Sequence, residues 1–479
     1  MSKTVISKPL TSLINKAINT QTFPEQLKSA EVSPIYKKED SLKRGNYRPV
    51  SILTSISKIY ESILHEQMIP WIESTLSEYT SAFRPGHSCQ YVLIRLIETW
   101  KEALDNGKYV GTVLMDLSKA FDSLPHDLLI AKIIAYGMNI KGACMLANYL
   151  SQRTQRVKIS SAISSWLPII KGVPQGSILG PVLFNIFIND LHYFITNEKL
   201  SNYADDNTVT AIDASPSKMI QKLTSDTNNA LQWFEINSIK ANPNKFQAMA
   251  LGNKIENFQI EIDNNILIDE KYVKLLGVYL DKNLNFNKHI SELCKKAARQ
   301  INVLKRLSKI LDENSKLTIF KSFILCHFNY CPLVWHFCGK TNTKKLERLQ
   351  ERALKFIFND REYTYSELLQ KANISELVVS RLRLIALEVY KIIHNQTPHY
   401  LSDMFTPNNN GYSLRRSNNV TVPLVKTTRN GINSLRYQGS KIWNSLPHDI
   451  KVAMDQNMFK QLIKNWEGTK CNCNFCYNL

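Results

Sequence analysis

Several features that would place this chain outside the cell or in a membrane are missing from its sequence. There is no run of about 18 uninterrupted apolar residues, which excludes an ordinary transmembrane helix, and the first residues lack the apolar stretch of a secretory signal. Cysteine is scarce and odd in number, with nine among 479 residues, which argues against a dense disulfide framework. We therefore expect an intracellular protein from a reducing compartment, without membrane contact.

Acidic residues are the other shortage. The chain has 41 Asp and Glu against 60 Lys and Arg, which gives a formal net charge of +19. A charge of this size is evidence about partners and not about fold, and it favours a polyanion such as nucleic acid. Hydrophobic residues make up 44% of the chain, enough to bury extensive cores, so general disorder is not expected.

The hydrophobic patterns predict an α+β protein. Residues 109–115 predict a buried strand, and residues 199–212 predict two short strands joined by an Ala-Asp-Asp turn. From about His289 onward, basic amphipathic helices dominate. The first of these helices has an apolar face made by Ile290, Leu293, Ala297, Ile301 and Leu304, and the second has one made by Leu346, Leu349, Ala353 and Phe356.

Three aspartates fall at the ends of these predicted strands. Asp116 ends the first strand, while Asp205 and Asp206 lie at the predicted hairpin turn. An Asp-Asp pair in a turn is common by itself, because Asp makes hydrogen bonds to its own backbone there. If the strands share a sheet, however, the three carboxylates repel one another unless cations neutralise them. Two Mg²⁺ ions would do so and would suit an in-line phosphoryl transfer.

Seven blocks of the sequence resemble those of reverse transcriptases, in the same order. MDLSKAFDSL, GVPQGSILGP and YADD resemble the A, B and C motifs, and NYRPVSILTSISKIYE, SAFRPGHS, NPNKFQAM and KLLGVYLD match the remaining blocks. The set is most similar to the polymerase of non-LTR (LINE-type, jockey-like) retrotransposons, over about residues 5–310. The resemblance implies an RNA-directed DNA polymerase with a right-hand fold of fingers, palm and thumb, and a mainly helical C-terminal extension.

The resemblance also implies a division of the chain into four regions. These are an N-terminal segment with fingers (1–108), a palm with some fingers insertion (109–285), a thumb (286–345) and a C-terminal extension (346–479) that we expect to bind nucleic acid. The chain starts almost at the first polymerase block, so we expect it to lack the endonuclease domain that such elements carry upstream. Integration would then depend on a separate endonuclease.

Individual roles follow from the resemblance. Asp116, Asp205 and Asp206 would hold two catalytic Mg²⁺ ions, with Mn²⁺ as the alternative, and Lys245 matches the general acid for pyrophosphate release. The residues implied in dNTP binding are Arg84, Phe121, Gln175 and Gly176, with Phe121 as the steric gate against a ribose 2′-hydroxyl. The residues implied in primer and template binding are Gly172, Pro174, Leu275, Leu276, Gly277, Lys295, Arg299 and Arg306.

Simpler explanations exist for several of these residues. The alternative for Phe121 is an ordinary core position, for the glycine-rich loop a turn that caps the next helix, and for Lys245 a surface lysine. For the whole chain, the alternative function is a catalytically silent or co-opted retroelement remnant that binds RNA or DNA. For the enzyme, the implied partners are an RNA template, a DNA primer and dNTPs, in a nuclear or cytoplasmic ribonucleoprotein.

Two groups of cysteines remain. Cys471, Cys473 and Cys476 have the spacing of zinc ligands, but no fourth ligand lies nearby in the sequence, so zinc is the less favoured interpretation. The second group, Cys326, Cys331, His336 and Cys338, lies in a strongly apolar and aromatic segment, which favours buried structural side chains.

Overall fold

The computed structural model describes residues 2–468 except 38–39, 118, 197–198, 254, 256–257, 263–264, 308–309, 361 and 409–417. The described residues combine helices with four separate sheets, as the α+β prediction requires. The strands are β1 (Ser29–Tyr36), β2 (Tyr47–Ile52), β3 (Tyr109–Asp116), β4 (Arg153–Ile159), β5 (Ala162–Ile163), β6 (Leu167–Ile169), β7 (Lys199–Tyr203), β8 (Asp206–Asp213), β9 (Gln247–Leu251), β10 (Gln259–Ile262), β11 (Asn265–Ile268), β12 (Tyr272–Leu275) and β13 (Val278–Asp281).

Helices occupy most of the remaining chain. They are α1 (Ser2–Asn19), α2 (Ser55–Thr75), α3 (Cys89–Asp105), α4 (Ala120–Ser123), α5 (His126–Ala135), α6 (Ile140–Leu150), α7 (Leu179–Ile188), α8 (Pro216–Ile236), α9 (Asn287–Leu307), α10 (Glu313–Ile319), α11 (Leu325–Phe328), α12 (Pro332–Trp335), α13 (Lys340–Phe358), α14 (Tyr365–Ala372), α15 (Leu377–Ile393), α16 (Leu435–Ser445), α17 (His448–Lys451) and α18 (Gln456–Ile463). Within the described ranges, none of the helices is both long and apolar enough to cross a membrane.

A four-stranded antiparallel sheet with the order β7-β8-β3-β9 lies at the centre. Its strands confirm the two segments predicted from the sequence, and β3 pairs with β8 along its whole length, from Tyr109 opposite Asp213 to Asp116 opposite Asp206. Successive side chains of a strand point to opposite faces. Val110 and Leu114 accordingly join one hydrophobic core, while Val113 and Met115 join the other. The central sheet is therefore buried on both faces.

A second sheet is formed largely by the N-terminal part of the chain. Its order is β2-β1-β4-β5, with β6 also paired to β4. Only β1 and β4 run parallel, and their pairing joins residues 29–32 to residues 154–157. An ion pair between Arg156 and Glu31 lies across these two strands. Two separate hairpins, β10–β11 and β12–β13, complete the strand inventory.

The apolar face predicted for the first basic helix is confirmed in α9, where Ile290, Leu293, Ala297, Ile301 and Leu304 are all buried. The face predicted for α13 was partly wrong. Leu349 and Phe356 are only half-buried, whereas Glu347 and Gln350 on the same helix are buried. Glu347 is buried because its carboxylate accepts hydrogen bonds from the backbone of α15, a partner that a hydrophobic pattern cannot reveal.

The C-terminal part packs back onto α3. Glu98 of α3 accepts hydrogen bonds from the backbone N–H groups of Leu435 (2.8 Å) and Arg436 (2.9 Å), where α16 begins. Asp105, at the end of α3, accepts from the N–H groups of Lys426 and Thr427. The core that contains Val110 also extends continuously into the C-terminal helices and crosses the predicted boundaries at 285 and 345. The division into four regions stays a prediction.

Candidate active site

Three aspartates lie together at one end of the central sheet. Asp116 ends β3 directly opposite Asp206, the first residue of β8, and residues opposite each other in an antiparallel pair have Cα atoms about 4.5–5.5 Å apart. Asp205 occupies the two-residue turn between β7 and β8. The preceding residue, Ala204, has a φ of 56°, the positive value that tight hairpin turns require at their first central position. The hairpin therefore brings two carboxylates next to a third.

The electrostatics of Asp206 reflect this crowding. Desolvation by the surrounding protein, followed by the negative charges of Asp205 and Asp116, raises the pKa of Asp206 to about 6. A raised pKa means that the folded chain holds a proton there more tightly than an unfolded chain would. A cation that binds at the same place would offset the repulsion between Asp206 and its two neighbouring carboxylates.

The donor chemistry of these residues fits Mg²⁺. Carboxylate oxygens on rigid strand ends are the ligands that hard divalent cations prefer, and the raised pKa of Asp206 shows that the negative charge is poorly compensated. Among the described residues, no three His, Cys, Asp or Glu side chains already converge on a common point. The carboxylates would therefore have to turn toward an ion in order to coordinate it.

Lys245 is the cation next to this site. It ends a short 3₁₀ turn, Pro243–Lys245, just before β9, and its Nζ lies 3.5 Å from Oδ2 of Asp116. The backbone N–H of Asn242 donates to the carbonyl of Asp116 (3.1 Å), which holds this turn against the end of β3. Lys245 is thus brought to the aspartates, and its role as general acid stays a prediction.

Phe121 lies in the short helix α4, which contacts the glycine-rich loop. Its ring stacks on Phe184 at 4.6 Å between centroids and meets the edge of Phe83 at 6.3 Å. Its carbonyl accepts a hydrogen bond from the N–H of Val173 (2.8 Å). Phe121 is half-buried and not a fully enclosed core residue, so part of its ring remains accessible.

Two glycines of the loop are required by close backbone contacts. Gly172 has a φ of +82°, and a Cβ there would lie 2.7 Å from the backbone of Asp122. Gly176 has a φ of +121°, and a Cβ there would lie 2.7 Å from the carbonyl oxygen of Ser51. Any other residue would push the loop away from these neighbours. Pro174 lies between them, and its carbonyl oxygen accepts a hydrogen bond from the Ser177 hydroxyl.

Residues that the sequence analysis did not select hold this loop in place. The Gln175 side chain donates to Oδ1 of Asp122 (2.8 Å), and the backbone N–H of Ser51 donates to the Gln175 carbonyl (2.7 Å). Oε2 of Glu61 accepts from the N–H groups of Ile178 (2.7 Å) and Leu179 (3.3 Å), at the start of α7. Glu61 was detectable only as a charged residue inside an apolar helix.

Arg84 is engaged by neighbouring protein groups. Its guanidinium makes an ion pair with Glu73 at 2.8 Å and donates to the carbonyls of Ser77 and Thr80, both at 2.9 Å. Its side chain is only 9% exposed. In this arrangement Arg84 stabilises the loop that carries it, and its role in binding a triphosphate stays a prediction.

The predicted primer-binding hairpin is the tight turn between β12 and β13. Leu276 and Gly277 both have positive φ, 45° and 82°, as in a two-residue hairpin turn. The hydroxyl of Tyr330 donates to the carbonyl of Leu276 (2.7 Å), and Leu275 is buried just before the turn. The turn is therefore fixed to the helical region that follows it.

The predicted basic surface lies on α9. Lys295, Arg299 and Arg306 are all exposed on the side of the helix opposite its buried face. Lys295 makes an ion pair with Glu292 at 3.0 Å. Their role in binding primer or template stays a prediction.

The prediction of buried cysteines is correct for two residues and wrong for a third. Cys331 and Cys338 are buried, as expected of structural side chains, and burial raises the pKa of the Cys331 thiol to about 12. Cys326, in contrast, is exposed. Nδ1 of the buried His336 accepts a hydrogen bond from Nε of Arg381 (3.3 Å). The C-terminal group, Cys471, Cys473 and Cys476, lies outside the described residues.

Comparison with known proteins agrees with the motifs. Residues 35–280, just over half of the chain, match the family model of the reverse transcriptase (RNA-dependent DNA polymerase). The chain therefore belongs to the reverse transcriptase family, and the resemblance to non-LTR elements is confirmed by its relatives. It is 28% identical over 374 residues to the probable RNA-directed DNA polymerase from transposon BS and 27% identical over 367 residues to the RNA-directed DNA polymerase from mobile element jockey, both of Drosophila melanogaster.

These relatives are longer than the matched region. Each alignment covers 73% of this chain, but only 40% of the transposon BS protein and 39% of the jockey protein. Among solved structures, telomerase from Candida tropicalis in complex with a fragment of telomeric RNA is similar, with 10% identity over 94% of this chain and 67% of that chain. Its TM-score of 0.43 marks a likeness too distant to support an argument.

Proposed function

We propose that this chain is an RNA-directed DNA polymerase that extends a primer 3′-hydroxyl with dNTPs. The observation that carries the proposal is the register of the central sheet, which sets Asp116 opposite Asp206 with Asp205 at the adjacent turn. Family membership supports the same activity. The curated relatives are much longer than the region they share with this chain. Their activity is therefore proposed for this chain on the basis of its own residues.

Asp116, Asp205 and Asp206 hold two Mg²⁺ ions in this proposal, with Mn²⁺ as the alternative. When bound, the ions supply Lewis acidity for the attacking 3′-hydroxyl and neutralise charge on the leaving pyrophosphate. The protein contributes the fixed positions of the three carboxylates and the shared negative charge that attracts a divalent cation. Lys245, whose ammonium already lies 3.5 Å from Asp116, donates a proton to the leaving group.

The half-buried ring of Phe121 selects deoxyribose. It is supported from below by stacking on Phe184 and from one side by Phe83, so it cannot easily move away from a 2′-hydroxyl. Gln175 and Gly176 contact the incoming dNTP, and Gly172 and Pro174 contact the template. Arg84 would reach the triphosphate only after its ion pair with Glu73 opened.

The right-hand arrangement is part of the same proposal. The central sheet β7-β8-β3-β9 corresponds to the palm, and the sheet β2-β1-β4-β5 corresponds to the fingers. The β12–β13 hairpin, with Leu275, Leu276 and Gly277, holds the primer end, and α9 follows the duplex backbone with Lys295, Arg299 and Arg306. Contacts of this kind attract phosphates without reading sequence.

Primer extension on poly(rA) with oligo(dT), dTTP and Mg²⁺ tests the activity. We expect Asp205→Asn to lower the rate at least about 1,000-fold, because electrostatic stabilisation of this kind is commonly the largest single contribution to catalysis. Asp213→Asn is the matched control, since Asp213 lies at the far end of β8, the strand that follows Asp205, and pairs with Lys222. It should retain nearly full activity.

One result would decide against the proposal, and a second measurement would then identify the alternative. If the folded wild-type protein is no more active than Asp205→Asn, the chain is not a polymerase. If it then still binds RNA or DNA, the catalytically silent remnant is the correct interpretation. A separate endonuclease as a partner, and a place in a nuclear or cytoplasmic ribonucleoprotein, belong to the same proposal.

A further inference from the structure

A cavity in the C-terminal region lies far along the chain from the aspartates. It is open to solvent on one side, has a volume of about 560 Å³, and is lined by α16, α17 and residues 418–422. Lys441, His448 and Lys451 contribute its cationic groups, while Val422 and Leu446 contribute apolar surface. None of its described lining residues is acidic. A volume of this size is typical of small-molecule sites.

Lys451 is positioned by its neighbours. Its ammonium donates to Oδ1 of Asn419 and to the carbonyl of Asn444, both at 2.9 Å. An ammonium carries three N–H groups, so these two bonds leave one N–H with no acceptor among the described residues. Partial burial lowers the pKa of Lys451, because the charge has lost part of its hydration without gaining a counter-ion.

Asn419 and Asn444 are themselves held in place. The Asn444 side chain exchanges two hydrogen bonds with the backbone of Val420, accepting from its N–H at 2.9 Å and donating to its carbonyl at 2.8 Å. The Trp443 indole donates to the carbonyl of Asn418 at 2.8 Å. The segment around Asn419 is thereby fixed against α16. The oxygens that orient Lys451 therefore belong to a preformed wall of the cavity.

The charges around the cavity select an anion with more than one negative charge. Lys441 and Lys451 are two full positive charges, and His448 adds a third group that can donate to an anion. Residues 418–468 as a whole contain seven Lys and Arg against three Asp and Glu. A phosphate monoester carries about −1.5 to −2 at neutral pH. The apolar surface and the volume leave room for a ring beside such a group.

We propose that this cavity binds a nucleoside monophosphate unit, with the phosphate on Lys441, His448 and Lys451 and the nucleoside against Val422 and Leu446. The unit is either a free nucleotide or one residue of a single-stranded RNA. A base inside a duplex is stacked on both sides and has no free face to pack against Val422 and Leu446. The site is separate from the proposed polymerase site, so it does not depend on the catalytic function.

Calorimetric titration of the full chain with AMP, in EDTA to exclude metal-dependent binding at the aspartates, tests the proposal. We expect Lys441→Gln and His448→Gln each to weaken AMP binding, the lysine change by about tenfold, as expected for the loss of one charge-assisted contact. Lys441 and His448 are exposed, so these variants should fold normally. Lys460→Gln, which removes an exposed charge from α18 outside the cavity, should change binding less than about twofold.

A comparison of ligands shows whether the cavity binds a free nucleotide or a residue of single-stranded RNA. Adenosine and inorganic phosphate should each bind at least about tenfold more weakly than AMP if both halves of the nucleotide are recognised. A 5′-phosphorylated octamer of RNA that binds more tightly than AMP, and is weakened equally by Lys441→Gln, would identify a strand as the ligand. Equal affinity would identify the free nucleotide. AMP binding that is absent at millimolar concentration, or unchanged in both cavity variants, would overturn the proposal.

Discussion

Carboxylates serve opposite purposes in two regions of this molecule. Glu61, Glu98 and Glu347 are buried, and each accepts hydrogen bonds from two backbone N–H groups at the start of a distant helix. At the end of the central sheet, Asp206 is instead crowded by Asp205 and Asp116, and its pKa is raised. The difference shows that burial alone does not decide the cost of a carboxylate. The groups around the carboxylate decide that cost. The crowded carboxylates at the end of the central sheet are the ones suited to bind a cation.

The strongest test of this comparison removes the charge from a satisfied carboxylate. Glu347→Gln should lower the free energy of unfolding by about 2 kcal/mol, because the new amide N–H₂ must face a backbone donor at the start of α15. Urea unfolding measures the change. Glu351→Gln is the matched control on the same helix, since Glu351 makes an ion pair with Lys355 near the surface, and it should cost about 0.3–0.5 kcal/mol. Equal losses in the two variants would contradict the capping role.

Removing the charge of the crowded Asp206 should instead raise the free energy of unfolding. Because the pKa of Asp206 is raised in the folded state, folding takes up a proton between about pH 4 and pH 6, and wild-type stability falls as the pH rises through this window. Asp206→Asn should therefore be more stable than wild type above pH 6, by about 1 kcal/mol after solvent screening. This corresponds to a rise in Tm of about 2 °C in EDTA.

Two controls accompany the Asp206 variant. The gain should shrink below pH 4, where the wild-type carboxyl is also neutral, and it should shrink when Mg²⁺ is added, since a bound ion stabilises only the wild type. A variant that is less stable than wild type at pH 8 would show that Asp206 is not under electrostatic strain.

The smallest effect on stability is expected at Lys245. The ion pair with Asp116 joins side chains that are 65% and 43% exposed, and such pairs contribute about 0–1 kcal/mol. Lys245→Met should therefore leave the unfolding transition nearly unchanged while lowering the rate of primer extension about 10² to 10⁴-fold, as expected for the loss of a general acid. A normal rate would assign Lys245 to the surface and not to the chemistry.

The features that could be predicted from the sequence are local ones. The strand ending at Asp116 and the turn at Asp205 depend on residues close together in the chain, and the order of the motifs placed them in one site. The Glu61 and Glu98 contacts could not be predicted, because their partners lie more than 100 and more than 300 residues away. The face of α13 was partly wrong for another reason, since a charged residue such as Glu347 normally indicates the exposed side of a helix.

The link between α3 and the C-terminal region also bears on how the protein is made. Glu98 is synthesised 337 residues before Leu435, the backbone partner that it needs in the folded core. At roughly 5–20 residues per second, the ribosome takes about 20–70 s to cover that distance. During this time α3 cannot complete its packing, and its apolar face stays available to other chains. The segment around Leu435 is therefore made long after α3, and it completes the packing of α3 only when it arrives.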